Sequence, residues 1–90
     1  MALVETGQVG TFRISPGVPV DMGGGQEVKP GHWFRFAVSV DSDNPPGAWI
    51  QITGESVDLQ DNGTNTCSIT MENNYFAQPV AITVSWLSVE

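Results

Sequence analysis

The sequence has few basic side chains, because Arg13, Lys29 and Arg35 are its only lysine or arginine residues. Ten carboxylates bring the formal net charge to −7 at pH 7. Binding to nucleic acid needs a clustered basic surface that neutralises phosphates, and anionic membranes attract basic segments for the same reason. We therefore expect no nucleic-acid partner and no membrane partner. The acidic surface would instead attract cations or a basic protein.

Cysteine and histidine are also scarce, with one residue of each kind, Cys67 and His32. A lone cysteine excludes an intramolecular disulfide and a cysteine-based zinc site. Alternation places Cys67 on the same side as Ile69 and Met71, so we expect a buried thiol that acts as a small hydrophobe. A catalytic cysteine needs a nearby base, and a metal site at His32 needs further ligands. We predict no catalytic residues, no metal and no cofactor.

Long hydrophobic runs are missing as well. No apolar stretch approaches the roughly 20 residues that a membrane-spanning helix needs. The first residues, Met1–Glu5, have neither the basic region nor the apolar region of a secretory signal. We therefore expect synthesis in the cytoplasm, with incorporation into a virion or another assembly that forms inside the cell.

Turn residues and period-two patterning are abundant. Ten glycines and six prolines in 90 residues favour many short strands over a helical bundle, and the length suits one domain, residues 1–90. Alternating side chains predict strands in the ranges 10–15, 18–22, 32–40, 48–53, 57–59, 66–71 and 79–89. The predicted fold is all-β: a small antiparallel β-sandwich of about seven or eight strands, immunoglobulin-like or jelly-roll-like.

Four segments rich in turn residues lie between these strands. Lys29–Gly31 and Asp61–Asn65 read as tight turns, the second because Asn-Gly tolerates positive φ. Gly23–Gly25 predicts a loop or a close approach of two backbones. Asp41–Gly47 is a longer polar turn between the predicted strands 32–40 and 48–53.

The candidate binding residues lie on those two strands. If Phe34 and Ile50 point inward, alternation sends Trp33, Arg35, Trp49 and Gln51 outward. A turn of this length allows the strands to pair as a hairpin, which would place both tryptophans and the arginine on one outer face. Tryptophan and arginine are enriched at binding hot spots, and tryptophan also stacks on sugar rings. The alternative is that other segments cover one or both tryptophans. Trp86 is predicted to be a core residue.

The acidic loop Asp41–Asn44, joined by Asp58, Asp61 and Asn62, could supply oxygen ligands to calcium. The same residue types are the ordinary vocabulary of solvated turns, and the spacing of an EF-hand is missing. We expect solvated turns here and assign no metal.

The last strand carries no charge from Ala81 to Val89. Because free sheet edges are normally protected by charge or proline, this strand is either central or joined to another subunit.

The sequence therefore predicts a non-catalytic structural or interaction module. In this interpretation the chain is a subunit or accessory domain of a larger assembly, such as a viral or phage virion, and its partner is another protein or a second copy. The alternative is a small carbohydrate-binding lectin that uses the surface tryptophans, with or without calcium. We expect the chain not to be an enzyme, because a sandwich of 90 residues leaves little room for a catalytic pocket.

Overall fold

The computed structural model describes residues 3–23 and 26–90, and within them the secondary structure is entirely β. It contains six strands: β1 Val4–Ile14, β2 Val20–Gly23, β3 Trp33–Val40, β4 Gln51–Leu59, β5 Asn65–Glu72 and β6 Val80–Val89. The all-β prediction is confirmed. The predicted number of seven or eight strands is wrong for the described residues.

One strand accounts for the difference. The ranges 48–53 and 57–59 were predicted as separate strands, but both contribute to the continuous strand β4. Gly54 and its polar neighbours Glu55 and Ser56 interrupt the alternation of apolar residues, which in the sequence suggests the end of a strand. In the structure they remain paired with β5, and a bulge between Ile52 and Gly54 absorbs the irregularity.

The strands form two antiparallel sheets of three strands each, in the orders β1-β6-β3 and β2-β5-β4. The pairing is nested along the chain, because the first strand pairs with the last and the second pairs with the fifth. The last strand, β6, is therefore central in the first sheet. Of the two alternatives that the sequence left open for this uncharged strand, the central position is confirmed.

A small core joins the two sheets. Ile14, Val80, Ile82 and Val84 of the first sheet pack against Ile69 and Met71 of the second, and each is at most 2% exposed. Cys67 is buried beside them at 7% exposure, which confirms its predicted place among Ile69 and Met71. Strict alternation along the two central strands produces most of this core. The odd-numbered residues of β5 and the even-numbered residues of β6 point between the sheets.

One buried polar residue, Asn73, seals the end of this core. Its side chain donates hydrogen bonds to the carbonyl oxygens of Ile14 and Gln78, at 2.9 and 3.0 Å, and accepts one from the backbone N–H of Tyr75 at 2.7 Å. The side chain is fully buried, and these three bonds replace the water that it loses. Asn73 thereby ties β1 to the loop that leads from β5 into β6.

The opposite end of the interior holds aromatic side chains. Trp86 points between the sheets and stacks on Phe34, with 5.9 Å between ring centroids and 16° between ring planes. The indole lies directly over Gly7 of β1, because a Cβ atom at Gly7 would come within 2.5 Å of the ring. Trp86 is half-buried, so its predicted inward direction is confirmed while its burial is incomplete.

The predicted close approach of two backbones occurs at Gly23. A Cβ atom there would collide with the carbonyl oxygen of Cys67 and would come within 2.8 Å of the Cα of Ser68, and φ is +121°. Only glycine fits this position without strain. Gly24 and Gly25, the rest of the predicted glycine loop, lie outside the described residues.

Both predicted tight turns are present. Gly31 and Gly63 have φ values of +87° and +84°, and the β4–β5 hairpin closes through the Asn62-Gly63 turn. The side-chain oxygen of Asn62 accepts hydrogen bonds from the backbone and hydroxyl of Thr64.

Within the described ranges, no helix is long and apolar enough to cross a membrane.

Candidate functional site

The strand β3 presents two of the predicted binding residues to solvent. Phe34, Phe36 and Val38 point toward the other sheet, whereas Trp33 and Arg35 point away from it. Trp33 is 72% exposed, so the alternative in which another segment covers it is wrong for the described residues.

The other two predicted residues lie elsewhere. Trp49, 47% exposed, belongs to the connection before β4, and Gln51 pairs with Glu72 on the outer face of the second sheet. The predicted hairpin between β3 and β4 is wrong, because these strands belong to different sheets. Trp33 and Arg35 therefore belong to the first sheet, and Gln51 belongs to the second.

The connection between β3 and β4 explains this separation. The backbone N–H of Asp41 and the side-chain amide of Asn44 both donate to the carbonyl oxygen of Ala81, and Asn44 Oδ1 accepts from the N–H of Ala81. These bonds prolong the β3–β6 ladder into residues 41–44. Pro45 and Pro46 follow, and since proline has no N–H to extend the ladder, the chain crosses to the second sheet.

In the acidic loop Asp41–Asn44, the side chains of Asp41 and Asn44 form hydrogen bonds within the fold. Asp41 accepts a hydrogen bond from the hydroxyl of Thr83 at 2.7 Å, and both polar atoms of the Asn44 amide bind backbone groups. Asp58 lies near the end of β4, and Asp61 and Asn62 lie in the turn that follows it, whereas the Asp41–Asn44 loop precedes β4. The structure therefore does not bring the two acidic segments together. Among the described residues, no three His, Cys, Asp or Glu side chains are grouped to hold a metal ion.

The strand β4 extends beyond the first sheet. Its residues Glu55 and Val57 pair with the buried residues Ile69 and Cys67, so their side chains face inward. Between the sheets, however, the backbone of β3 lies closer to β5 than to β4. The inward-facing apolar residues of β4 are consequently uncovered: Ile52 is 48% exposed, Val57 64% and Leu59 72%.

We call this region the open side. It comprises the free edge of β3 and the inward-facing residues of β4, namely Ile52, Glu55, Val57 and Leu59. A cleft of about 290 Å³ lies within it, and Trp33, Val57 and Cys67 are among its lining residues. The cleft joins an exposed indole to an exposed aliphatic side chain, and tryptophan is among the residues enriched at protein-binding hot spots.

An ion pair bridges the open side. Arg35 Nη2 donates to both carboxylate oxygens of Glu55, at 2.7 and 3.0 Å, and so connects the edge strands of the two sheets. The hydrogen bond, and then the negative charge of Glu55, raise the pKa of Arg35 above its ordinary value. Both side chains remain substantially exposed, so solvent and salt screen their attraction.

A second cleft lies on the other side of Trp33. Its volume is about 300 Å³, and Glu5, Glu27, Lys29, His32 and Glu90 line it together with the indole. Carboxylates beside an exposed indole can accept hydrogen bonds from sugar hydroxyls while the ring stacks on the sugar. Of the two clefts that Trp33 lines, this one is the more polar.

The interior also opens at the Trp86 end. A cleft of about 590 Å³ between the sheets is lined mostly by apolar side chains, including Val9, Met22 and Phe36. It continues the aromatic layer of Phe34 and Trp86. The core is therefore densely packed near Asn73 and loosely packed near Trp86.

Sequence reasoning missed the inner face of β4 as part of the site. Val57 and Leu59 alternate as strand residues should, and inward-facing aliphatic residues are ordinarily buried. A signal was present in Gly54-Glu55-Ser56, because a fully covered strand seldom places a carboxylate on its inner face. Glu55 indicates that this face of β4 meets water.

Comparisons of the chain with protein-family models, with curated proteins and with solved structures found no match.

Proposed function

We propose that the chain is a non-catalytic interaction module, a subunit or accessory domain of a larger assembly, that binds another polypeptide through its open side. The observation that carries the proposal is the exposure of Trp33 and Val57, at 72% and 64%, around one cleft, with Leu59 72% exposed two residues further along the same face of β4. Neighbouring exposed apolar side chains rimmed by polar groups are typical of protein-binding surfaces. Arg35 and Glu55 supply such a rim.

The nested strand pairing supports a finer description of the fold. We infer a small β-sandwich of the jelly-roll type. In such a fold the chain resembles one long hairpin that is rolled up, so that the first strand pairs with the last and the second strand pairs with the fifth. Here β3 and β4 form the centre of the rolled hairpin and lie on the open side. Jelly-roll domains build many viral capsids. A virion accessory protein is therefore the assembly component that we propose, as an analogy of fold.

A selection experiment tests the proposal. The purified chain is screened against a display library of extended peptides and, in parallel, against a glycan array. We expect peptide ligands whose binding is lost in Trp33→Ala and retained in Trp49→Ala, since the two tryptophans lie on different parts of the domain. The absence of any peptide ligand, or ligands that need Trp49 instead, would contradict the proposal.

A carbohydrate-binding lectin is the second candidate, and the polar cleft beside Trp33 favours it. In that case Glu5 and Glu27 would bind sugar hydroxyls, and the Trp33 fluorescence would change with a glycan from the array. The variant Glu5→Gln should then weaken glycan binding, whereas Val57→Asn should not. The interaction module predicts the reverse dependence for its peptide ligands. Loss of glycan binding in EDTA would add a bound calcium ion to the lectin hypothesis.

A further inference from the structure

The free edge of β3 lies beside an uncovered part of the second sheet. We propose that this edge accepts an extended, basic segment of a partner polypeptide as an additional strand of the first sheet. This inference rests on the proposed interaction function and specifies the partner and its mode of binding.

The backbone of β3 is the first feature that supports strand addition. Its eight residues, Trp33–Val40, have one strand neighbour among the described residues, β6. Every second residue of such a strand points its N–H and C=O groups away from the sheet. An extended peptide satisfies these groups by continuing the ladder, which is the basis of recognition by strand addition.

The uncovered face of β4 is the second feature that supports strand addition. A strand added to β3 would lie about 4.8 Å beyond it, and facing sheets pack about 10 Å apart. Because β3 lies over β5, the added strand would lie over β4. Its inward side chains would then cover Val57 and Leu59, which are more than 60% exposed without it.

The other edges lack this combination. The edge strand β2 has only four residues, and a strand added to β4 itself would extend the second sheet without covering the inner face of β4. The remaining edge strand, β1, lies at the opposite edge of the first sheet from β3, so a strand added there would not lie over β4. Only addition at β3 both pairs the free backbone N–H and C=O groups of an edge strand and buries the exposed aliphatic side chains of β4. The alternation of the added strand is thereby specified, with apolar residues at every second position.

The negative charge of the chain favours a basic partner segment. The chain carries a formal charge of −7, and Arg35, the basic residue of the open side, is already paired with Glu55. A second copy would bring the same negative charge, which opposes association. A basic segment is attracted instead, and its lysine or arginine can replace Arg35 at Glu55. The exposed Arg35–Glu55 pair is weak enough to exchange partners.

Synthetic peptides test the mode of binding. The probe is a nine-residue peptide, matched to the length of β4, in which valine alternates with threonine and both ends are lysine. Fluorescence anisotropy measures its binding to the full chain. Two further versions carry N-methyl groups on the odd or on the even amides. Strand addition predicts that one version binds and the other does not, because only one set of amides faces β3.

Two variants of the protein complete the experiment. We expect Val57→Asn to weaken binding about tenfold, the factor that corresponds to about 1.4 kcal/mol. Val18→Asn should have no effect, since Val18 is similarly exposed, at 55% against 64%, but lies in the β1–β2 connection. Both changes are at the surface, and circular dichroism verifies that each variant folds.

The outcomes separate the inference from the function on which it rests. Equal binding of both methylated peptides, equal binding of a version with glutamate ends, or no dependence on Val57 would overturn strand addition. The same holds if the chain dimerises and Val57→Asn dissociates the dimer, because the occupant would then be a second copy. If library selection yields Trp33-dependent ligands while the probe peptide fails, the interaction function survives and this inference does not.

Discussion

Arg35 and Glu55 join two strands that belong to different sheets, through a contact of 2.7 Å between Nη2 and Oε2. The pair is the polar bridge across an otherwise apolar open side. Its position explains why a carboxylate faces inward on β4, a placement that would be unfavourable in a closed core. The pair thus marks the place where the two sheets part, beside the surface at which we propose that a partner binds.

The first prediction concerns this bridge. Arg35→Gln should leave the melting temperature within about two degrees of that of the parent chain, because exposed ion pairs contribute little to stability. Thermal unfolding monitored by circular dichroism provides the measurement. A large decrease would mean that the pair holds the sheets together, and the open side would then be a structural junction rather than an accessible surface.

The second prediction concerns Asn73. Asn73→Ala removes hydrogen bonds to the carbonyl oxygens of Ile14 and Gln78 and from the N–H of Tyr75. Leaving buried groups without partners should lower the free energy of unfolding by about 3 kcal/mol. Urea denaturation measures the change. The neighbouring Asn74→Ala is the control, since Asn74 bonds an exposed side chain, Gln51, and should cost less than about 1 kcal/mol.

The third prediction uses two glycines in edge strands. Gly7→Ala places a methyl group 2.5 Å from the Trp86 ring and should destabilise the domain by roughly 1–3 kcal/mol. In Gly54→Ala the nearest atom, the Thr70 Cβ, is 3.9 Å away, so this variant should be as stable as the parent or slightly more so. Urea denaturation compares them, and equal stability would show that the indole does not lie over β1.

The fourth prediction concerns Cys67. Because only 7% of this residue is exposed, a thiol reagent should label the native protein slowly and the denatured protein rapidly. The control is Val57→Cys in a Cys67→Ala background, which places a thiol on the exposed face of β4 and should react at once. Rapid labelling of native Cys67 would show that the sheets separate at the open side without a partner.

The sequence predicted the local features of this molecule well. Alternation placed Phe34 and Trp33 on opposite faces of β3, and Asn62-Gly63 predicted the hairpin turn. These features depend on neighbouring residues, whose periodicity and turn chemistry are legible without tertiary contacts.

The pairing of strands was not predictable in the same way. The length of the segment 41–47 favoured a hairpin, but the bonds of Asn44 to Ala81 hold residues 41–44 against β6, and the chain crosses to the other sheet only after them. Those partners are 37 residues apart, so no local pattern reveals them. The same long-range geometry decides that Val57 and Leu59 are exposed, since their burial depends on where β3 lies and not on their own alternation.

Hydrogen–deuterium exchange with and without a selected peptide ligand tests the central claim most directly. The account predicts that the amides of β3 become protected when the peptide binds, and that β4 exchanges more slowly around Val57. Protection confined to the polar cleft near Glu5 and Glu27, or to the segment around Trp49, with β3 unchanged, would contradict it.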